Sequence, residues 1–249
     1  MISSIILCAG NQSRFFLDVP KPLMLYKENE TILDINIKTS LRFCDVVYVV
    51  LNEKLELNKL SMYIDIMKKY QNVNLIMINS GKGTGHALMN CIKKEKIYGD
   101  IFLMWGDSIQ DNYSIFKKTI ENYNKYFSIP VQYEKDPYVK FCINDKWLIH
   151  SVLFKKYGEV KNDGYHDFSL FLLNGNHIHK YLECFHNNYY SVDLDKYLFN
   201  NRNNEFDLFD VINLYRDEIK CSSVIIDKNS SINSFNTVDE YKNIIKVKK

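Results

Sequence analysis

Short β-branched runs alternate with amphipathic segments along the first half of the chain, and the second half loses that rhythm. Residues 3–7, 45–51, 74–78 and 101–105 read as buried strands. Between them Leu60, Tyr63, Ile64 and Met67 recur at i, i+3, i+4 and i+7, which puts one apolar stripe on a helix. Residues 31–43 and 85–94 suit helices as well. Strand and helix in alternation predict a mainly parallel, doubly wound sheet, whose ligand crevice lies beyond the carboxyl ends of its strands. The loops after Leu7, Ile78 and Trp105 are therefore expected to face one another. In the second half, residues 128–133, 138–144, 147–154 and 169–173 predict strands with sparse helices between them, a mixed extension of the same sheet. The polar tract 200–204 reads as a loop. Thr237-Val-Asp-Glu240 has the capping-box pattern and is expected to open a final helix through Lys246. With no internal repeat and no hexapeptide β-helix array, the expectation is one domain over residues 1–249, with halves at 1–125 and 126–249.

Composition narrows the class. Hydrophobic residues make up 46% of the 249, with 18 Tyr and 15 Phe, enough for a core and incompatible with a disordered chain. Lys and Arg total 32 against 30 Asp and Glu, a net charge of +2, which excludes a dedicated nucleic-acid or membrane-surface binder resting on a large basic excess. Six scattered cysteines without C-x-x-C, and no His at metal-ligand spacing, argue against a disulfide scaffold or zinc site. The first ten residues lack a basic region, and no uncharged apolar stretch reaches membrane-spanning length. A cytoplasmic protein with no membrane partner is expected, and the Tyr and Phe content leaves room for a homo-oligomeric interface.

Three segments carry chemistry. In the first, a strand runs through Leu7, Cys8 and Ala9 into a loop at Gly10, Asn11, Gln12 and Ser13, followed by Arg14, and Lys21 is held between Pro20 and Pro22. Backbone N–H groups, a guanidinium and an ammonium directed at one place make a triphosphate cradle. The second, Ser80-Gly-Lys-Gly-Thr-Gly-His-Ala87, lies between a strand and a helix and is neither a Walker A loop nor G-x-G-x-x-G. The third, Phe102-Leu-Met-Trp-Gly-Asp-Ser108, delivers Asp107 at the carboxyl end of a buried strand. A carboxylate facing a phosphate loop is what Mg²⁺ needs, since it takes one or two carboxylates, substrate phosphates and waters.

Leu7-Cys-Ala-Gly10 with Ser13-Arg14 and Pro20-Lys-Pro-Leu23 resembles the L-A-A-G-x-G-[ST]-R and P-K-[PV]-L signature of nucleotidyltransferases that activate small phosphates. Sugar-1-phosphate nucleotidyltransferases and phosphocholine cytidylyltransferase are examples. The resemblance is sharp over the first 110 residues, and Gln12 departs from the family's Gly. It implies a three-layer α/β/α, Rossmann-like (GT-A-like) fold with a mixed central sheet. It also implies NTP bound along residues 7–13, Arg14 and Lys21 as catalytic cations, and Asp107 as both nucleotide contact and Mg²⁺ ligand. Residues 83–87 look like the G-T-G-H-A segment of the family's uridylyltransferases, implying Gly83 beside the base and Thr84 next to it. Ile78 stands where a uracil-reading glutamine aligns, so uracil is not assured. An acidic counterpart of the family's N-T-G-I segment aligns with His166-Asp-Phe-Ser169, implying Asp167 as second metal ligand, with Asp163 and Asp193 as alternatives. Residues 205–210 resemble G-E-[YF]-x-x-[TS]-D and read mostly as the start of a helix and packing.

The implied reaction, attack of an acceptor phosphate oxygen on the α-phosphorus of an NTP with loss of pyrophosphate, needs positioning and charge neutralisation but no general base. This accounts for cations and carboxylates without a Ser-His-Asp or Cys-His set. The P-Y-G, E-x-K and N-T-G motifs of hexose-phosphate enzymes are degraded in Pro137-Tyr-Val139, residues 152–156 and residues 166–169. The reading therefore leans to CTP and a small non-sugar phosphate, such as phosphocholine or phosphoglutamine, in a capsule or surface-glycan pathway. Its alternatives are a sugar-1-phosphate uridylyl-, thymidylyl- or guanylyltransferase and a non-catalytic nucleotide-binding module. An NAD-type oxidoreductase lacks G-x-G-x-x-G.

Overall fold

The computed structural model describes residues 1–10, 19–79, 82–199, 204–227, 235 and 238–247. In chain order its strands are β1 (Ile2–Leu7), β2 (Leu25–Lys27), β3 (Glu30–Thr31), β4 (Val46–Asn52), β5 (Val73–Ile78), β6 (Asp100–Trp105), β7 (Phe127–Glu134), β8 (Val139–Ile143), β9 (Ile149–Phe154), β10 (Gly164–Asp167), β11 (Leu170–Asn174), β12 (Tyr190–Ser191), β13 (Lys196–Tyr197) and β14 (Ser222–Ile225). The α-helices are α1 (Ile32–Ser40), α2 (Leu57–Met67), α3 (Thr84–Glu95), α4 (Tyr113–Glu121), α5 (Gly175–Tyr189), α6 (Leu208–Leu214), α7 (Arg216–Ile219) and α8 (Val238–Val247).

Period-two alternation along the apolar strands creates two cores, one on each face of the sheet. Ile5, Val50, Ile101 and Leu103 face one way and pack with Leu88 and Ile92 of α3, Leu182 and Phe185 of α5, and Val211 of α6. Their neighbours Ile6, Val49, Phe102 and Met104 face the other way, onto Leu33 and Ile37 of α1, Tyr63 and Ile66 of α2, and Phe116 of α4. The result is the expected three-layer α/β/α fold.

Ten strands form one mixed sheet in the order β5-β4-β1-β6-β11-β7-β10-β8-β9, with β14 also paired to β7. The first part is parallel: β1 lies between β4 and β6, and β5 lies beyond β4. The chain winds outward from β1 through β4 and β5, then returns to the other side of β1 as β6. That reversal is a topological switch point, and ligands of such sheets bind beyond the carboxyl ends of the strands there. The rest is antiparallel, with β11 against β6 and β7, except that β14 runs parallel to β7.

The structure corrects the second half. Helices there are not sparse, because α5 spans 15 residues. Its buried stripe of Ile178, Tyr181, Leu182 and Phe185 has helical spacing, hidden among His and Asn residues. Trp147 sits in a turn at φ 60°, so the strand expected from 147 begins at Ile149. Ser169, at φ 55°, separates β10 from β11 and is not the first residue of a strand. The final helix is α8, and Thr237 of its expected capping box lies outside the described residues. Among the described residues no helix is long and apolar enough to cross a membrane.

Candidate functional site

The loops leaving β1 and β6 meet at the switch point. Cys8 N–H donates to the Val50 carbonyl at 2.9 Å, and Gly106 N–H donates to the Leu7 carbonyl at 2.9 Å, which carries the parallel pairing one step past the strands. A Cβ on Gly106 would stand 2.3 Å from Cys8 Sγ, so glycine is what lets the two loops close. Cys8 and Ala9 are buried and Gly10 is exposed. Burial drives the Cys8 thiol far above its usual range, and the Asp107 charge adds to this, leaving a neutral packing group. Asn11, Gln12, Ser13 and Arg14 lie outside the described residues.

Lys21 opens a single 3₁₀ turn, Lys21–Leu23, preceded by Pro20 in extended backbone and followed by Pro22 in the first turn, where a fixed φ and a missing N–H are tolerated. Its side chain is buried, yet its Nζ stands 3.5 Å from Asp107 Oδ2 and donates to the Phe235 carbonyl at 3.0 Å. The Phe235 ring lies 5.4 Å away and belongs to a satellite core with Met24, Tyr26, Ile32, Ile35 and Ile109. A lysine enclosed in protein thus meets a half-exposed carboxylate, from 86 residues away in the chain.

The loop before α3 is built for close backbone approach. Gly83 adopts φ 100°, and a Cβ there would stand 2.3 Å from the Phe206 carbonyl oxygen. Phe206 N–H donates to the Lys82 carbonyl at 2.7 Å, and the Phe206 carbonyl accepts from Gly85 N–H at 2.9 Å. Thr84 Oγ1 accepts from Leu208 N–H at 3.0 Å and donates to Asp207 Oδ1 at 3.3 Å. Asp207 also caps α6 by accepting from Phe209 N–H. Residues 205–210 therefore do start a helix and pack, and the Thr84 hydroxyl is engaged within that joint. Lys82 is tied to Tyr190 and to Asp195 in the β12–β13 turn, and these partners raise its pKa although burial opposes them.

Asp167 ends β10 at the same end of the sheet. Leu170 of β11 pairs with Met104 of β6, and Trp105 N–H donates to the Ser169 carbonyl at 3.2 Å, so the Asp167 turn and the Asp107 turn meet. The Asp167 carboxylate accepts from Ser169 N–H at 2.7 Å. Asp167 keeps some exposed surface, but the protein around its carboxyl group, helped by the Asp207 charge, pushes its pKa up to about 6 against the pull of the backbone bonds. Among the described residues no lysine or arginine pairs with it. The structure joins Lys21 to Asp107 directly and sets Asp167 against the charge of Asp207. Asp163 and Asp193 are both exposed, ahead of β10 and in the β12–β13 turn.

Two side chains at this site went unread in the sequence. Asn36, fully buried on α1, bonds the Ser108 carbonyl and Gln110 N–H, and the Gln110 side chain bonds the Phe168 carbonyl. The available signal was a polar residue between two core isoleucines, Ile35 and Ile37.

No protein-family model matches the chain, and no curated protein matches it in sequence. Solved structures do match. HddC from Yersinia pseudotuberculosis is 16% identical over the whole of both chains, with a TM-score of 0.70. HddC complexed with GMP-PN gives 16% and 0.69 over the same coverage. A protein from Bacillus anthracis assigned as a glucose-1-phosphate thymidylyltransferase, in complex with sucrose, is 14% identical over 99% of this chain and 95% of that one, with a TM-score of 0.74. At such identities the likeness shows a shared fold.

Proposed function

We propose that the chain is a Mg²⁺-dependent nucleotidyltransferase that moves a nucleoside monophosphate from an NTP to a small phosphorylated acceptor, releasing pyrophosphate. The observation that carries this reading is the buried Lys21 ammonium, 3.5 Å from the Asp107 carboxylate at the switch point of a doubly wound sheet. An acceptor phosphate oxygen forms the new bond to the α-phosphorus, and the bond from that phosphorus to the oxygen bridging to the β-phosphorus breaks. The acceptor is anionic near neutral pH, so no proton has to be removed. Lys21 offsets charge on the triphosphate and on the transition state, where a fixed charge in a dry site is most effective. Arg14 keeps the parallel role that the resemblance implies, and the exposed backbone of Gly10 and the partly exposed backbone of Gly83 offer approach to phosphates and base.

Asp107 and Asp167 would hold the metal. The fit rests on donor chemistry: both supply hard oxygens, and the Asp167 carboxyl, beside Asp207 and unpaired with Lys or Arg among the described residues, is short of positive charge. When bound, Mg²⁺ supplies charge neutralisation at the transferring phosphate.

The degraded hexose motifs favour CMP transfer to a phosphocholine- or phosphoglutamine-like acceptor. The fold match to a thymidylyltransferase assignment supports, as second reading, a sugar 1-phosphate acceptor. A matrix of four NTPs against phosphocholine, phosphoglutamine and hexose 1-phosphates, read by pyrophosphate release with and without EDTA, tests both. Metal-dependent release with CTP and a non-sugar phosphate is expected. Release with hexose 1-phosphates alone would transfer the assignment to the second reading, and NTP binding with no release anywhere would reduce the chain to a nucleotide-binding module.

A further inference from the structure

We infer that Asn36 and Gln110 are positioning residues that hold the Asp107 turn and the Asp167 turn at a fixed separation; the inference rests on the metal-dependent reaction proposed above. Asn36 sits on α1 between Ile35 and Ile37, with no exposed surface. A buried amide is costly unless both of its ends are bonded. Here both ends serve one loop. Asn36 Nδ2 donates to the Ser108 carbonyl at 2.8 Å, and Asn36 Oδ1 accepts from Gln110 N–H at 2.9 Å. Two bonds from one planar group fix the loop in position and in rotation, one residue beyond Asp107.

Gln110 carries the constraint on to the Asp167 turn. Its side chain is buried, and its Nε2 donates to the Phe168 carbonyl at 2.6 Å and reaches the Ser169 carbonyl at 3.5 Å. Phe168 follows Asp167 directly, and Ser169 N–H bonds the Asp167 carboxylate. Asn36, the 108–110 backbone, Gln110 and the 167–169 turn thus form one continuous hydrogen-bonded clamp between the two acids. Its base is firm, because α1 is capped by Thr31 and pinned through Asp34 to Tyr70 and Lys69. Residues behind the ligands of a metal set their geometry as much as the ligands do.

The experiment uses the full chain with Asn36→Asp and Gln110→Glu, near-isosteric changes that each delete one donor of the clamp, alongside Asn36→Ala and Gln110→Ala. Mn²⁺ is titrated by EPR in the presence of a non-hydrolysable CTP analogue, and melting temperature, kcat and nucleotide KM are measured on the same samples. The expected result is a Mn²⁺ affinity and a kcat each lower by roughly 10 to 100-fold, with nucleotide KM little changed. Variants that melt earlier yet bind Mn²⁺ as tightly as the parent would make the clamp a purely structural network and overturn the inference. A parent that binds no Mn²⁺ and releases no pyrophosphate would instead overturn the nucleotidyltransferase reading, and this inference with it.

Discussion

Lys21 shows how one side chain can be legible in type and illegible in setting. Two flanking prolines marked it as held, but its burial against Phe235 depends on a contact 214 residues away. Lys21→Ala is expected to lower kcat/KM by roughly 10² to 10³-fold, about 2.7 to 4 kcal/mol, the scale of losing one charge-stabilising donor; steady-state pyrophosphate release checks this. Gly106→Ala is expected to destabilise the fold by about 1 to 3 kcal/mol, because the added methyl meets Cys8 Sγ and the Leu7 carbonyl and must displace a packed loop. Urea unfolding measures that change. His86 supplies a pH test. Burial, and then the nearby Lys82 charge, lower its pKa to about 4 from the ordinary 6.5, so the unfolded chain binds the proton that the folded chain refuses. Its contribution is complete above about pH 6.5 and is lost as pH falls towards 4. Unfolding midpoints compared at pH 7 and pH 5 should separate for the parent more than for His86→Gln.

Whole elements were easiest to read where burial is symmetric. The parallel strands β1, β4, β5 and β6 are apolar on both faces, so their runs stand out without any partner being known. The helix α5 is half polar, and its stripe needs the sheet beneath it to distinguish it from a polar loop. The break at Ser169 is a tertiary matter too, since a serine at φ 55° is held by its neighbours' hydrogen bonds and not by its own preference. The start of α1 is stabilised locally by Thr31 and Asp34, which cap each other, and from a distance by Tyr70, whose hydroxyl donates to Asp34 at 2.7 Å. Thr31→Ala is expected to cost about 1 kcal/mol, checked by thermal unfolding. Burial by itself would raise the Asp34 pKa, but its bonds to Tyr70, Thr31 and Lys69 bring it below the usual carboxylate value. Its stabilising effect is therefore present above the ordinary carboxylate range and fades on acidification.

Across the whole molecule, a net charge of +2 remains compatible with binding a triphosphate, because the positive potential is required only at one crevice. Adding CTP with Mg²⁺ to the native chain is expected to raise stability by about 2.7 kcal/mol at a hundredfold excess over Kd. A melting series with and without EDTA checks this, with the shift disappearing when the metal is removed. The same series with NAD should show no shift.

The order of residues alone predicts a doubly wound α/β fold and singles out the loop after Leu7, Lys21 and Asp107 as candidates for binding phosphate and metal. Those features are local: a strand's hydrophobicity, a proline's fixed φ and a carboxylate at a strand end are written in neighbouring residues. Tertiary structure alone decided which groups touch. It set Lys21 on Asp107, brought Asp167 within reach of the Asp207 charge, engaged Thr84 in the α6 cap and made Asn36 and Gln110 the link between two acidic turns. Such contacts join residues dozens to hundreds of positions apart, and whether a buried polar group is a fault or a joint depends on the partner that folding brings to it.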